Sequence, residues 1–166
     1  YNLVHLSTGD ILRKELETNS RLGQIAKNHM NKGGLVPDDI IMGMVAKEIE
    51  ANKGTKGVVL DGFPRTVDQA KSLDKLLASK NYEVSAMFAL DVNDDELVRR
   101  LLERAKDGGR VDDTPEIIEK RIKTYKMTTM KVAEYYAEKG KLYEIDGVGD
   151  VDRIFNDISK IIDSLS

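Results

Sequence analysis

What the 166-residue sequence lacks narrows the possibilities first. Cysteine is absent, which excludes a disulfide scaffold and a thiolate zinc site and permits a reducing compartment. No apolar run approaches the roughly 18 residues of a membrane-spanning helix, and no secretory leader is recognisable, so the expectation is a cytoplasmic protein. An excess of positive charge is also missing: 26 Lys and Arg against 29 Asp and Glu leave a net charge of -3. That balance gives no footprint for nucleic acid or an acidic membrane surface. Any anion must therefore be bound by locally placed arginines and backbone amides. No histidine, serine or cysteine is arranged as a nucleophile beside a base. His5 sits in an apolar run and reads as a core histidine, while His29 lies in a polar stretch and reads as a solvated surface residue.

The composition that is present, 40% hydrophobic and 33% charged, suits one globular domain with small inserted lobes. Short apolar runs alternate with helical periodicity, which predicts an α/β fold, a parallel sheet flanked by helices. Residues 57–65 are the organising stretch: Val58, Val59 and Leu60 predict a strand covered on both faces, followed by Asp61, Gly62, Phe63, Pro64 and Arg65. In open α/β sheets ligands sit beyond the carboxyl ends of strands, where this turn falls. Leu3–Leu6 predicts a second strand, running into a helix start at Ser7, Thr8, Gly9 and Asp10 that exposes backbone N–H groups. Helices are predicted over 20–32, 38–52 and 66–79, and from 93 or 94 onward. Another helix runs from Thr114 and Pro115 to about 138. Strands are predicted over 84–92 and 142–146, and Val151, Ile154, Phe155, Ile158, Ile161 and Ile162 mark the buried stripe of a last helix.

Arg13, Arg65, Arg104, Arg110 and Arg121 fall at strand ends, helix starts or a glycine-rich loop, with Arg100 beside them. Guanidinium forks match phosphate oxygens bidentately, so this cluster in an acidic protein points to a polyanionic substrate. Positioning and charge neutralisation without covalent participation are what phosphoryl transfer requires. Arg100 and Arg104 share a helix face, although Glu96 to Arg100 also has the spacing of a surface ion pair.

Read in order, Ser7-Thr8-Gly9-Asp10-Ile11-Leu12-Arg13, Leu35-Val36-Pro37, Asp61-Gly62-Phe63-Pro64-Arg65 with Gln69, Arg100-Leu-Leu-Glu-Arg104, Gly109-Arg110-Val111-Asp112-Asp113, Lys120-Arg121 and Ile145-Asp146-Gly147 resemble the successive signatures of adenylate kinase. The resemblance implies a P-loop nucleoside monophosphate kinase fold and the reaction ATP + AMP = 2 ADP with Mg2+. It implies that Thr8, Arg13, Gly34, Leu35, Val36, Gly62, Phe63, Pro64, Arg65, Gln69, Arg110 and Arg121 hold AMP, with the phosphate on Arg13 and Arg65. Arg100, Arg104 and Gly149 would serve ATP, and Arg110 and Arg121 would bridge the transferring group. Arg65, Arg104, Arg110 and Arg121 are the implied catalytic residues, and Asp61 would orient waters around the metal. The implied divisions are a core of 1–6, 37–102 and 114–166, an AMP-binding lobe of 7–36 and a short lid of 103–113, in a monomer.

The resemblance also implies a strand and a Gly-x-x-x-x-Gly-Lys loop ahead of the segment that starts at Tyr1. No such loop occurs in the 166 residues. The expectation is four strands around a gap where the central strand lies, and little or no turnover by this stretch alone. Residues 127–130 replace a threonine-proline common in the family, which implies altered helix continuity. The alternatives are a UMP/CMP kinase of the same fold and a noncatalytic nucleotide-binding fragment. Thr8, where UMP/CMP kinases usually carry alanine, favours AMP.

Overall fold

The computed structural model describes residues 1–165 apart from 19, 31, 33 and 107–113. The described elements run β1 (Val4–Ser7), α1 (Thr8–Glu17), α2 (Arg21–Met30), α3 (Asp38–Ala51), β2 (Val58–Asp61), α4 (Val67–Ala78), β3 (Met87–Asp91), α5 (Asp94–Lys106), α6 (Pro115–Thr124), a π-helical segment (Tyr125–Thr129), α7 (Met130–Ala137), β4 (Leu142–Asp146) and α8 (Val151–Ser164). Helix starts follow side-chain chemistry. Ser7, Thr66, Thr114 and Asp150 each accept a backbone N–H two or three residues on, which satisfies donors that a helix leaves unpaired.

All strand pairing is parallel, as the α/β reading requires, but the strands form two separate pairs. β1 lies beside β2 with Ser7 opposite Asp61, and β3 lies beside β4 with Asp91 opposite Asp146. Among the described residues no ladder joins the pairs, so the sheet is divided where the sequence reading placed a gap. The division has a cost in burial. Val59 is 44% exposed and Leu90 45%, so residues 58–60 alternate and are not covered on both faces as expected. A continuous apolar run marks a doubly covered strand only when elements pack on each face, and here Leu60 packs on the core while Val59 does not.

The larger core draws Leu12 from α1, Ala26 from α2, Val36, four side chains of α3 including Met44 and Val45, Phe63, and Leu73 from α4. Residues of the expected 7–36 lobe therefore share one interior with α3 and α4. α1 and α2 approach so closely at Gly23 that a Cβ there would stand 2.2 Å from the Glu15 carbonyl oxygen. A second cluster joins Ala70 of α4 to Val132 and Tyr136 of α7. Beside it Asp74 accepts hydrogen bonds from Tyr135 Oη at 2.8 Å, Tyr136 Oη at 3.2 Å and Lys139 Nζ.

The helical run expected from 114 to about 138 widens into π geometry at Tyr125–Thr129 before α7 resumes, overlapping the 127–130 stretch where altered continuity was expected. One helical expectation needs correction. In α8, Val151 and Phe155 are 76% and 62% exposed, not buried. The period identified the helix and its apolar face, but β4, against which α8 packs, covers only part of that face.

Candidate active site

β1 and β2 end side by side, and the chain leaves each directly into site residues. Thr8 opens α1 and is buried; its Oγ1 donates to the carbonyl oxygens of Asp61 at 3.3 Å and Gly62 at 3.1 Å. This bond links the two strand ends. Gly62 has φ +72°, a region in which a Cβ is strained, and a Cβ there would press on Arg65 Nη2 and Thr8 Oγ1. Arg65 is held three ways: its N–H donates to Gln69 Oε1 at 2.8 Å, its Nε donates to Gly62 O at 2.8 Å, and its carbonyl accepts from Thr129 Oγ1 at 3.1 Å.

Gln69 is buried at 2% exposure. The sequence suggested that its amide could reach a ligand, yet both ends are engaged, since Nε2 donates to Asp38 Oδ1 at 2.7 Å while Oε1 holds Arg65. A buried amide is stable only with such partners, so Gln69 shapes the turn that presents Arg65. The Arg13 guanidinium lies over Gly9 and pairs with Asp10.

These residues enclose a cleft of about 360 Å³. Of the residues inferred from sequence, Thr8, Arg13, Gly34, Leu35, Val36, Asp61, Gly62, Phe63, Arg65, Gln69, Arg104 and Arg121 all line it. Among the described residues, four arginines thus converge on one space in which Asp61 is the single lining carboxylate. Asp61 is itself exposed, and its Oδ2 lies 3.3 Å from His5 Nε2. His5 is therefore not a core histidine: it stands at the exposed face of β1 with 61% of its side chain accessible. The sequence reading missed Leu12, Met30 and Ile41, which add an apolar wall to the cleft. Their helical spacing announced burial, and nothing in that pattern distinguishes a core wall from a ligand wall.

Arg100, Gly149 and Pro64 are not among the lining residues. Arg100 Nε donates to Glu96 Oε1 at 2.6 Å and its Nη2 to the Gly147 carbonyl at 2.9 Å, near Gly149. Arg99 first, then Arg100, pull the Glu96 carboxyl down to about 2. Arg153 donates from Nη2 to Asp146 O at 2.9 Å and Val148 O at 2.6 Å, so two arginines grip the turn after β4. Gly147 has no room for a side chain, because a Cβ would stand 2.7 Å from Val92 Cγ2. Arg110 and most of the expected lid, 107–113, lie outside the described residues.

A cleft of this kind, arginine-rich, lined by buried Thr8 and Gln69 and set beyond parallel strand ends, is suited to a nucleotide with its phosphate on the guanidinium groups. The profile of adenylate kinases matches residues 1–141. The chain belongs to the adenylate kinase family. Its similarity to individual members runs nearly end to end. It is 44% identical to an adenylate kinase of Parabacteroides distasonis and 45% identical to one of Flavobacterium psychrophilum, in each case over 99% of this chain and 87% of the relative. An adenylate kinase of Nitrobacter hamburgensis is 38% identical over 98% of this chain and 81% of its own length. As a member of this family the chain is a nucleoside monophosphate kinase, a phosphotransferase that binds nucleotides, and the UMP/CMP kinase alternative is not favoured. Among the described residues no helix is long and apolar enough to cross a membrane.

Proposed function

We propose that the cleft between α1, α3 and the β2–α4 turn is the acceptor site of the reaction ATP + AMP = 2 ADP. The observation that carries this reading is the convergence of Arg13, Arg65, Arg104 and Arg121 on one space with an apolar wall. AMP lies with its base against Leu12, Val36, Ile41 and the Thr8 and Gln69 end. Gly34, Leu35, Gly62, Phe63 and Pro64 supply main chain around it, and its phosphate meets Arg13 and Arg65. Arg104 and Arg121, at the far side, neutralise charge on the donor phosphates and the group in flight. Arg110 is assigned to that role by its motif alone. Arg100 acts on the donor end through the turn it fixes at Gly147, next to Gly149. Residues 7–36 act as the AMP-binding lobe, and the protein works as a cytoplasmic monomer.

The donor set fits magnesium bound indirectly. Asp61 is an exposed carboxylate at the strand end, and among the described residues no group of three acidic or histidine side chains is clustered to cage a cation. Mg2+ keeps several waters and takes much of its coordination from substrate phosphates. Asp61 would accept hydrogen bonds from those waters, and the ion would supply charge neutralisation at the phosphates.

Titration calorimetry with AMP, UMP and CMP tests the acceptor assignment. AMP is expected to bind more tightly than either pyrimidine nucleotide, and Arg13→Ala and Arg65→Ala are each expected to weaken AMP about 10- to 100-fold, the range of a charge-assisted contact. UMP or CMP binding as tightly as AMP would overturn the assignment.

A further inference from the structure

The β2–α4 turn is the part of the cleft that carries Arg65, and it is tied to the second half of the chain through Thr129, whose hydroxyl donates to the Arg65 carbonyl at 3.1 Å, across 64 residues of sequence. Two further bonds of this residue are local, from its N–H to Gln69 and from its Nε to Gly62. Thr129 closes the π-helical segment. Its neighbour Thr128 turns its hydroxyl back onto the Thr124 carbonyl at 2.7 Å, within the same helix. The two adjacent threonines thus have different tasks: one serves its own helix and the other crosses to the cleft.

The π geometry explains how Thr129 comes to face that way. Arg121, which lines the cleft, precedes Thr129 by eight residues, and eight residues of regular α-helix would leave the two side chains about 80° apart. An i→i+5 turn accommodates an extra residue and sets the phase back, removing most of that divergence. Arg121, which lines the cleft, and Thr129, which reaches the turn beside it, then share one side of the helix. Beyond Thr129 the helix is fixed, because Val132 and Tyr136 are buried against Ala70 and Tyr136 reaches Asp74. The hydroxyl is accordingly presented from a rigid support.

We propose that Thr129 is a positioning residue for the acceptor phosphate. By holding the Arg65 carbonyl it fixes the turn from which the Arg65 guanidinium is offered to a nucleoside monophosphate. The role rests on the acceptor-site reading above.

The test is AMP titration calorimetry on the wild-type protein, Thr129→Val, Thr129→Ser, Arg65→Ala and the Thr129→Val/Arg65→Ala double variant. Valine keeps the β-branched shape and deletes the donor. Thr129→Val is expected to raise the AMP dissociation constant about 3- to 10-fold, the scale of one neutral hydrogen bond, and Thr129→Ser to restore it within about twofold. In the Arg65→Ala background the valine substitution is expected to add no further loss, because the two residues act as a unit. A purely structural contribution would weaken AMP equally in both backgrounds, which would overturn the proposal, as would wild-type affinity in Thr129→Val. If wild type fails to bind AMP, or Arg65→Ala binds it normally, the acceptor-site reading falls and takes this role with it.

Discussion

Replacing Gly23 by alanine should destabilise the protein although alanine is the better helix former. The added Cβ would stand 2.2 Å from the Glu15 carbonyl oxygen, 2.6 Å from its carbon and 2.8 Å from the Leu16 nitrogen. All three are main-chain atoms of α1, so no side-chain rotation relieves the contact. To reach even a tight van der Waals distance the helices must separate locally by about 1 Å, against a core that includes Leu12 and Ala26. Overpacking of this type costs about 1–3 kcal/mol or more, whereas the propensity gain is at most about 1 kcal/mol. The net expectation is a loss of about 1–3 kcal/mol, or roughly 2–4 °C in Tm for each kcal/mol in a chain of this size. Gly43 on α3 provides the opposite case, since nothing lies within 4 Å of its added Cβ. Gly43→Ala should stabilise by about 0.5–1 kcal/mol. Urea unfolding followed by far-UV circular dichroism measures both. A Gly23→Ala protein as stable as wild type, or more so, would refute the steric argument and imply that α1 and α2 are not packed as closely as described.

Two further outcomes follow from other parts of the structure. Burial pushes the Asp74 carboxyl up, but Lys139, Tyr135 and Tyr136 together outweigh it and hold it below its usual value near 3.8. Its contribution is therefore complete above that value and lost as pH falls through the lower folded value. Asp74→Asn should cost about 1–3 kcal/mol at pH 7, with the gap from wild type constant down to about pH 5 and shrinking below about pH 4; urea titrations at pH 7, 5 and 3 check the sign. Gly62→Ala forces a side chain into a left-handed conformation between Arg65 and Thr8, and should lose about 1–2 kcal/mol of stability together with AMP affinity, both measurable on one purified variant.

Much of this architecture was legible because the relevant signals are local. Thr8, Arg13, Asp61, Arg65 and Gln69 lie at strand ends and helix starts that capping residues and glycine mark directly, and they converge in the cleft. Strand 142–146 and helix 38–52 were placed to within a residue for the same reason. What escaped depends on partners that a one-dimensional pattern cannot name. Val59 and Phe155 have the periodicity of buried residues but lack a covering surface, and His5 lies among apolar neighbours yet faces outward toward Asp61. The Gln69–Asp38 bond joins residues 31 apart, and neither residue alone announces it. Altered continuity at 127–130 was legible but its form was not, because a π turn is a matter of helix phase, for which Lys126, Met127 and Thr128 carry no strong local signal.

The two buried clusters also impose an order of assembly. Every buried member of the larger one lies between Leu12 and Leu73, so a chain emerging from the ribosome holds the buried residues of that interior well before Val132 and Tyr136 have been made. The smaller cluster must wait for Tyr136. α4 contributes Leu73 to the first and Ala70 to the second, which makes it the surface on which late-synthesised helices land. Because domains fold from the N-terminal side as synthesis proceeds, the acceptor turn at Arg65 would be built first and Thr129 would arrive later. The N-terminal half would thus hold its turn without the Thr129 bond for a time, and the distant hydroxyl would be added as the second half docks.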